Sequence, residues 1–166
     1  MGLRTIRKIL GIILYVLGIF AAAWLIVHFV AQRTVVDGSS METTLNDGDN
    51  LIIDKISYRF EDPKRFDIIV FPFQYKENTF YIKRIIGLPG ETVSITDNGI
   101  IMINGEPLQE SYGKEVIRDP GSAKDPITLK DGEYFVLGDN RNNSSDSRDP
   151  SVGIIKRSDI VGRAFM

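Results

Sequence analysis

The longest apolar run in the chain comes first. Ile9 to Val30, "ILGIILYVLGIFAAAWLIVHFV", contains no Asp, Glu, Lys or Arg. As a helix it would be about 33 Å long, against a bilayer core of about 30 Å. The apolar core of a cleaved leader is shorter, about 7–15 residues. The "VAQRTVV" that follows also lacks a small-residue cleavage pattern. The run is therefore expected to be a retained membrane helix. From Gln32 onward the pattern changes to short runs rich in Ile, Val, Phe and Tyr, separated by turn residues. "LIIDKI", "FDIIVF", "TFYIKRII", "TVSI", "IIMI", "ITL", "EYFVL" and "VGII" read as strands, and Asn98-Gly99 and Asn104-Gly105 flank "IIMI" as hairpin signals. No later segment holds a helical period for ten or more residues. "QESYGKEVIRDPGSAKDP", Gln109 to Pro126, is polar and reads as an irregular loop. The expectation is a mainly β fold: an all-β domain behind one N-terminal transmembrane helix.

Charge gives this plan an orientation. Arg4, Arg7 and Lys8 precede the apolar run, which favours a cytoplasmic N-terminus and a translocated remainder. The expected layout is a basic cytoplasmic segment at 1–8, a single-pass helix at 9–30 in contact with membrane lipid, and an extracytoplasmic domain at 31–166. Three of the chain's 20 Lys and Arg precede that domain, leaving 17 against 22 Asp and Glu, a net charge of −5. Such a domain has no basic surplus for gripping nucleic acid. The absence of cysteine excludes disulfides, a thiolate nucleophile and a thiolate metal site. The only histidine, His28, falls inside the apolar run near its outer end, where an interfacial position is expected. A Ser-His-Asp triad in the β domain is thereby excluded, as is a histidine-rich zinc site. No metal and no cofactor are expected.

Three segments carry candidate chemistry. In "VVDGSSMETTL", Val35 to Leu45, Gly38 permits a tight turn and two serines follow it. Ser39 and Glu42 also fit a Ser-x-x-Glu capping box, and spacing does not say which serine would be a nucleophile. In "FYIKRIIGLPGE", Phe80 to Glu91, strand alternation puts Phe80, Ile82, Arg84 and Ile86 on one face and Tyr81, Lys83 and Ile85 on the other. Lys83 then sits among apolar neighbours. Burial disfavours the charged amine, and a desolvated lysine can serve as a general base. An edge-strand lysine that discourages aggregation is the alternative. "GDNRNNSSDSR", Gly138 to Arg148, packs opposite charges closely enough to suggest an ordered loop, but it fails the spacing of a calcium-binding EF-hand. "SYGK", Ser111 to Lys114, matches Ser-x-x-Lys in letters only, without the companion motifs of penicillin-binding enzymes.

Together these segments resemble the type I signal peptidases (leader peptidases), membrane-bound Ser-Lys proteases that remove signal peptides from exported proteins. "GSSMETTL" is similar to the family's Ser-Met-x-Pro-Thr-Leu box, "GDNLIIDK" to the block after it, "FDIIVF…YIKRIIGLPGE" to the lysine box, and "GDNRNNSSDSR" to the last box. The resemblance runs from about Val36 to Gly162, in the family's order. It implies Ser40 as nucleophile, Lys83 as general base, and Ser144 as the hydroxyl that orients the lysine amine. Arg84, Asp139, Asp146 and Arg148 would brace the site. The oxyanion hole would rest on backbone N–H groups, that of Ser40 first and that of Gly38 weakly. The resemblance also implies the family's β-fold and its preference for small residues at −1 and −3 of the cleavage site. Thr43 stands where the family usually has Pro, and Gly38 where some members carry a hydroxyl. Only 46 residues separate Glu91 from Gly138, as in the small forms typical of Gram-positive bacteria.

The partners implied are signal-peptide-bearing preproteins, pilins among them. The competing reading is a non-catalytic or pilus-dedicated homologue that binds pilin subunits during assembly. Such a protein should have lost its nucleophile or base, and this chain has both. A self-cleaving repressor with a Ser-Lys dyad is disfavoured by the apolar run and the acidic domain.

Overall fold

The computed structural model describes residues 2–29 and 31–165, the side chains of 26–29 excepted. The position expected for the His28 side chain lies outside the described residues. Helix α1 spans Leu3–Phe29, so it begins six residues before the apolar run and takes in Arg4, Arg7 and Lys8. Leu10, Leu14, Leu17, Phe20 and Trp24 are all exposed. A helix apolar on every side needs an apolar solvent, and Leu3–Leu25 is long and apolar enough to cross a membrane.

The rest is β. Strands β1 (Ala31–Val35), β2 (Asn50–Asp54), β3 (Ile68–Pro72), β4 (Phe80–Gly87), β9 (Glu133–Leu137), β10 (Ile155–Lys156) and β11 (Gly162–Phe165) form one antiparallel sheet in the order β1-β2-β11-β3-β4-β9-β10. β5 (Thr92–Ile95), β6 (Ile101–Ile103), β7 (Glu106–Pro107) and β8 (Ile127–Thr128) form a second sheet in the order β7-β6-β5-β8. The expected strands "TVSI" and "EYFVL" have the boundaries anticipated, whereas "VGII" contributes only its last residue, Ile155, to the short strand Ile155–Lys156. Asn104 and Gly105, both at positive φ, make the two-residue turn between β6 and β7. The segment from Gln109 to Pro126 is irregular apart from a 3-10 turn at Gly121–Lys124.

Alternation along the strands divides the core. Ile69 and Phe71 pack with Ile85, Tyr134 and Val136 on one face of the large sheet. Val70, between them, packs with Val36, Met41, Leu45, Leu51 and Ile53 on the other. Phe135 and Leu137 join Ile86, Val93, Ile95 and Leu129, tying the two sheets together. Burying one such side chain contributes about 1.5–3 kcal/mol. Pairing register then carries the structure to the site. β4 lies between β3 and β9, and Lys83 is buried, so it is not an exposed edge lysine that discourages aggregation. However, β9 pairs β4 only from Arg84 onward, which leaves Phe80–Lys83 unpaired on that side. One cross-strand row runs Ala31, Asp54, Arg163, Ile69, Lys83, so the lysine shares its pairing row with the first strand residue after α1.

Candidate active site

Met41 and Leu45 are each 1% exposed and anchor the segment Ser39–Leu45 in the core as a series of turns. No helix forms there, and the capping box anticipated from Ser39 and Glu42 is not made. The Ser39 hydroxyl instead accepts a hydrogen bond from Asn143 Nδ2 at 2.9 Å. Ser40 faces β4, and Lys83 Nζ donates to its Oγ at 2.8 Å. The amine also donates to the Ile82 carbonyl at 3.0 Å and lies 4.9 Å from the centre of the Tyr81 ring. Lys83 is 3% exposed. Burial lowers its pKa from the ordinary 10.5 to about 8, against the opposing pull of the Asp146 and Asp139 carboxylates. An amine so placed can hold a hydroxyl proton near neutral pH.

The expected braces form two buried ion pairs. Arg84 Nε and Nη2 donate to the two oxygens of Asp139 at 2.8 and 2.6 Å, and Thr44 Oγ1 donates to Asp139 Oδ2 at 2.6 Å. The Tyr112 ring lies 3.8 Å beneath the Arg84 guanidinium. Arg148 Nε and Nη2 donate to the two oxygens of Asp146 at 2.8 Å each, and Gly138 N donates to Asp146 Oδ2 at 3.1 Å. Arg84 follows Lys83 directly, so the first pair fixes the lysine's strand as well as the loop.

Two expectations need correction. Ser144 makes no hydrogen bond to the lysine amine. Its hydroxyl is buried against Gly138 and has no hydrogen-bond partner among the described residues. Its neighbour Ser145, rather than Ser144, lines the cleft beside Ser40 and Lys83. Asp146, fully buried and held by Arg148, fixes the loop in this register. Gly38 offers no N–H to an oxyanion either, because that group donates to Asp47 Oδ1 at 2.8 Å. The Ser40 N–H, by contrast, makes no hydrogen bond to the described residues.

Several contributors carried no assigned role in the sequence. Thr44 stands inside the serine box, and Asn140, Arg141 and Asn143 inside the last box, but nothing in their spacing shows what they hold. Glu110, which pairs with Arg141 at 2.6 Å, lies in the polar loop without any local signal. The packing yields a test at Gly138. A Cβ there would meet the Ser40 carbonyl oxygen at 2.5 Å and collide with the Ser144 hydroxyl. Gly138→Ala should therefore displace the Ser40 backbone, cost about 1–3 kcal/mol in melting experiments and sharply reduce activity.

Ser40 and Lys83 open onto a cleft of about 470 Å³. Val35–Met41 form one wall and Phe80–Lys83 the other, with Ile53 and Val70 in its apolar lining. Residues 8–166 match the family described as signal peptidase, peptidase S26. The chain is similar to a probable signal peptidase I-2 of Synechocystis sp., 44% identical over 143 residues, 83% of this chain and 63% of that protein. It thus spans slightly less than two thirds of that relative's length. It is also 38% identical over 151 residues to signal peptidase I T of Bacillus subtilis, covering 84% of this chain and 75% of that one. A crystal structure of a signal peptidase I from Enterococcus faecalis superimposes with a TM-score of 0.51 at 36% identity, covering 62% of this chain and 97% of that one. By sequence, by its mainly β fold behind one apolar helix, and by the match over residues 8–166, the chain belongs to the signal peptidase, peptidase S26, family.

Proposed function

We propose that this protein is a membrane-anchored serine endopeptidase that removes N-terminal signal peptides from exported preproteins. The observation that carries the reading is the 2.8 Å contact between Ser40 Oγ and the amine of a lysine that is 3% exposed. Neutral Lys83 takes the Ser40 proton as the hydroxyl attacks the scissile carbonyl. The developing oxyanion is met by the Ser40 N–H, a fixed dipole that need not reorganise. Lys83 then protonates the leaving amine, a water repeats the sequence on the acyl-enzyme, and the signal peptide is released as an acid.

The cleft suits an extended substrate. The side of Phe80–Lys83 left unpaired by β9 can receive a strand by main-chain hydrogen bonding. An apolar pocket beside Ser40 is consistent with small residues at −1 and −3. The anchor also sets the height of the reaction. Nine residues separate Val30 from Ser40, so the nucleophile is tethered close to the end of the apolar run. A preprotein held in the membrane by its own apolar segment presents its cleavage site at that level. Arg4, Arg7 and Lys8 orient the N-terminus to the cytoplasm and the β domain to the outside.

The full-length protein in detergent micelles should convert a preprotein to a product whose new N-terminus follows the signal peptide. Ser40→Ala should reduce cleavage to background. Ser39→Ala should retain substantial activity, because it loses only the hydrogen bond from Asn143. Cleavage by Ser40→Ala, or its abolition by Ser39→Ala alone, would contradict the assignment.

A further inference from the structure

Asn140 is 5% exposed and grips both carbonyls that flank the Ser40 amide. Its backbone N–H donates to the Ser40 carbonyl at 3.0 Å, and its side-chain Nδ2 donates to the Ser39 carbonyl at 3.0 Å. Because the side-chain partner is a carbonyl oxygen, only the NH₂ end of the amide can face it. The Ser39–Ser40 peptide is trans. In a planar trans peptide the C=O and N–H point in opposite directions. A Ser39 carbonyl drawn back onto the loop at 138–143 therefore turns the Ser40 N–H away from that loop.

We infer that Asn140 is a positioning residue that aims the Ser40 N–H, the oxyanion donor, into the cleft. The inference rests on the function proposed above. It also gives the freedom of the Ser40 N–H a cause: an amide left without a partner at rest must be held in place by its neighbours. Asn140 is itself held, since the adjacent Asp139 is fixed by Arg84 and Thr44. Asn143, bonded to the Ser39 hydroxyl, steadies the same turn without touching the peptide in question.

The test separates oxyanion binding from fold and from ground-state binding. Two probes are made on one signal-peptide sequence: a C-terminal peptide aldehyde and the corresponding alcohol. Ser40 Oγ adds to the aldehyde carbon, its proton passes to Lys83, and the carbonyl electron pair becomes an oxyanion in the hole. The alcohol can form no such adduct. With the full-length protein in micelles, Asn140→Ala should lower kcat by about tenfold to a hundredfold, less than or equal to the loss of a whole donor. KM should change little. Aldehyde affinity should fall by a similar factor, while alcohol affinity and the pH at which activity rises stay as in the wild type. Asn140→Asp keeps the shape but, ionised, cannot donate, and should show the same split.

An unchanged ratio of aldehyde to alcohol affinity in a folded variant would overturn the inference, as would equal loss of both. If neither variant folds, the wild type still decides. Its Ser40 amide proton should shift downfield in ¹⁵N-resolved spectra when the aldehyde binds, with the Asn140 side-chain amide protected from exchange throughout. A rapidly exchanging Asn140 amide would refute the role. Failure of the underlying reading looks different: the wild type would neither cleave a preprotein nor prefer the aldehyde.

Discussion

Replacing Lys83 by arginine should leave a folded protein that cleaves no preprotein. Arginine preserves the positive charge and much of the length, but it does not lose its proton in a protein and so cannot accept one from Ser40. Lys83→Met should be equally inactive and no less stable at pH 7. Depression of the lysine pKa from 10.5 to about 8 corresponds, at about 1.4 kcal/mol per pH unit, to up to about 3 kcal/mol of differential stability. The sign follows from which state holds the proton. Between about pH 8 and 10.5 the unfolded chain keeps a proton that the folded chain has lost, so unfolding free energy rises with pH across that window. Below about pH 8 both forms are protonated, and the folded protein bears the full cost of a buried cation. Lys83→Met removes that cost while keeping the apolar stem. Melting curves from pH 6 to 10.5 should thus show a slope in the wild type that Lys83→Met lacks. Wild-type cleavage should rise with pH through a midpoint near 8 and level off above it. Substantial activity in Lys83→Arg would remove the general-base role.

The largest stability loss is expected at Asp139, whose side chain is fully buried. Asp139→Ala leaves the Arg84 guanidinium buried over the Tyr112 ring, with only the Phe66 carbonyl and the Thr44 hydroxyl to face. Removing one partner of a buried ion pair typically costs about 3–5 kcal/mol, because the other charge stays desolvated. The double variant Asp139→Ala, Arg84→Met should recover part of that loss. Both lesions should also depress activity. Arg84 neighbours Lys83 on β4, and Asp139 lies between Gly138, packed against the Ser40 carbonyl, and Asn140, bonded to it. Denaturant titrations of the two single variants and the double variant measure the coupling. A coupling energy near zero would mean that the pair holds neither the strand nor the loop.

These residues also mark how far the sequence could be read. "EYFVL" and "TVSI" declare themselves because β-branched and aromatic residues stand between turn residues. β1 and β11 carry no such signature in "AQRTV" and "GRAF". They become strands through long-range pairing, and at Gly162 the absence of a Cβ lets the Asp54 carbonyl approach closely. A similar limit applies to the site. The resemblance to the family's boxes is what brings Ser40, Arg84, Asp139, Asp146 and Arg148 forward, since spacing alone leaves Ser39 and Ser40 equivalent, whereas Lys83 also stands out by its apolar strand. Side-chain direction is another matter, because one loop's register decides whether Ser144 or Ser145 faces the cleft. The Asp146–Arg148 pair, buried at both ends, sets that register. Asn140 went unassigned for a related reason: its partners are main-chain carbonyls 100 and 101 residues away, and backbone carbonyls leave no mark in a sequence.

The central claim is that Ser40, activated by Lys83, attacks a signal peptide's scissile carbonyl. Trapping the covalent intermediate tests it most directly. The full-length protein in micelles is mixed with excess preprotein, quenched in acid within the first turnover, digested and analysed by mass spectrometry. The expected product is a signal-peptide fragment joined as an ester to the Ser40 hydroxyl, together with the freed mature protein. That ester should be absent from Ser40→Ala and from Lys83→Arg. An ester on Ser39, or cleavage by either of those variants at the wild-type rate, would contradict the account.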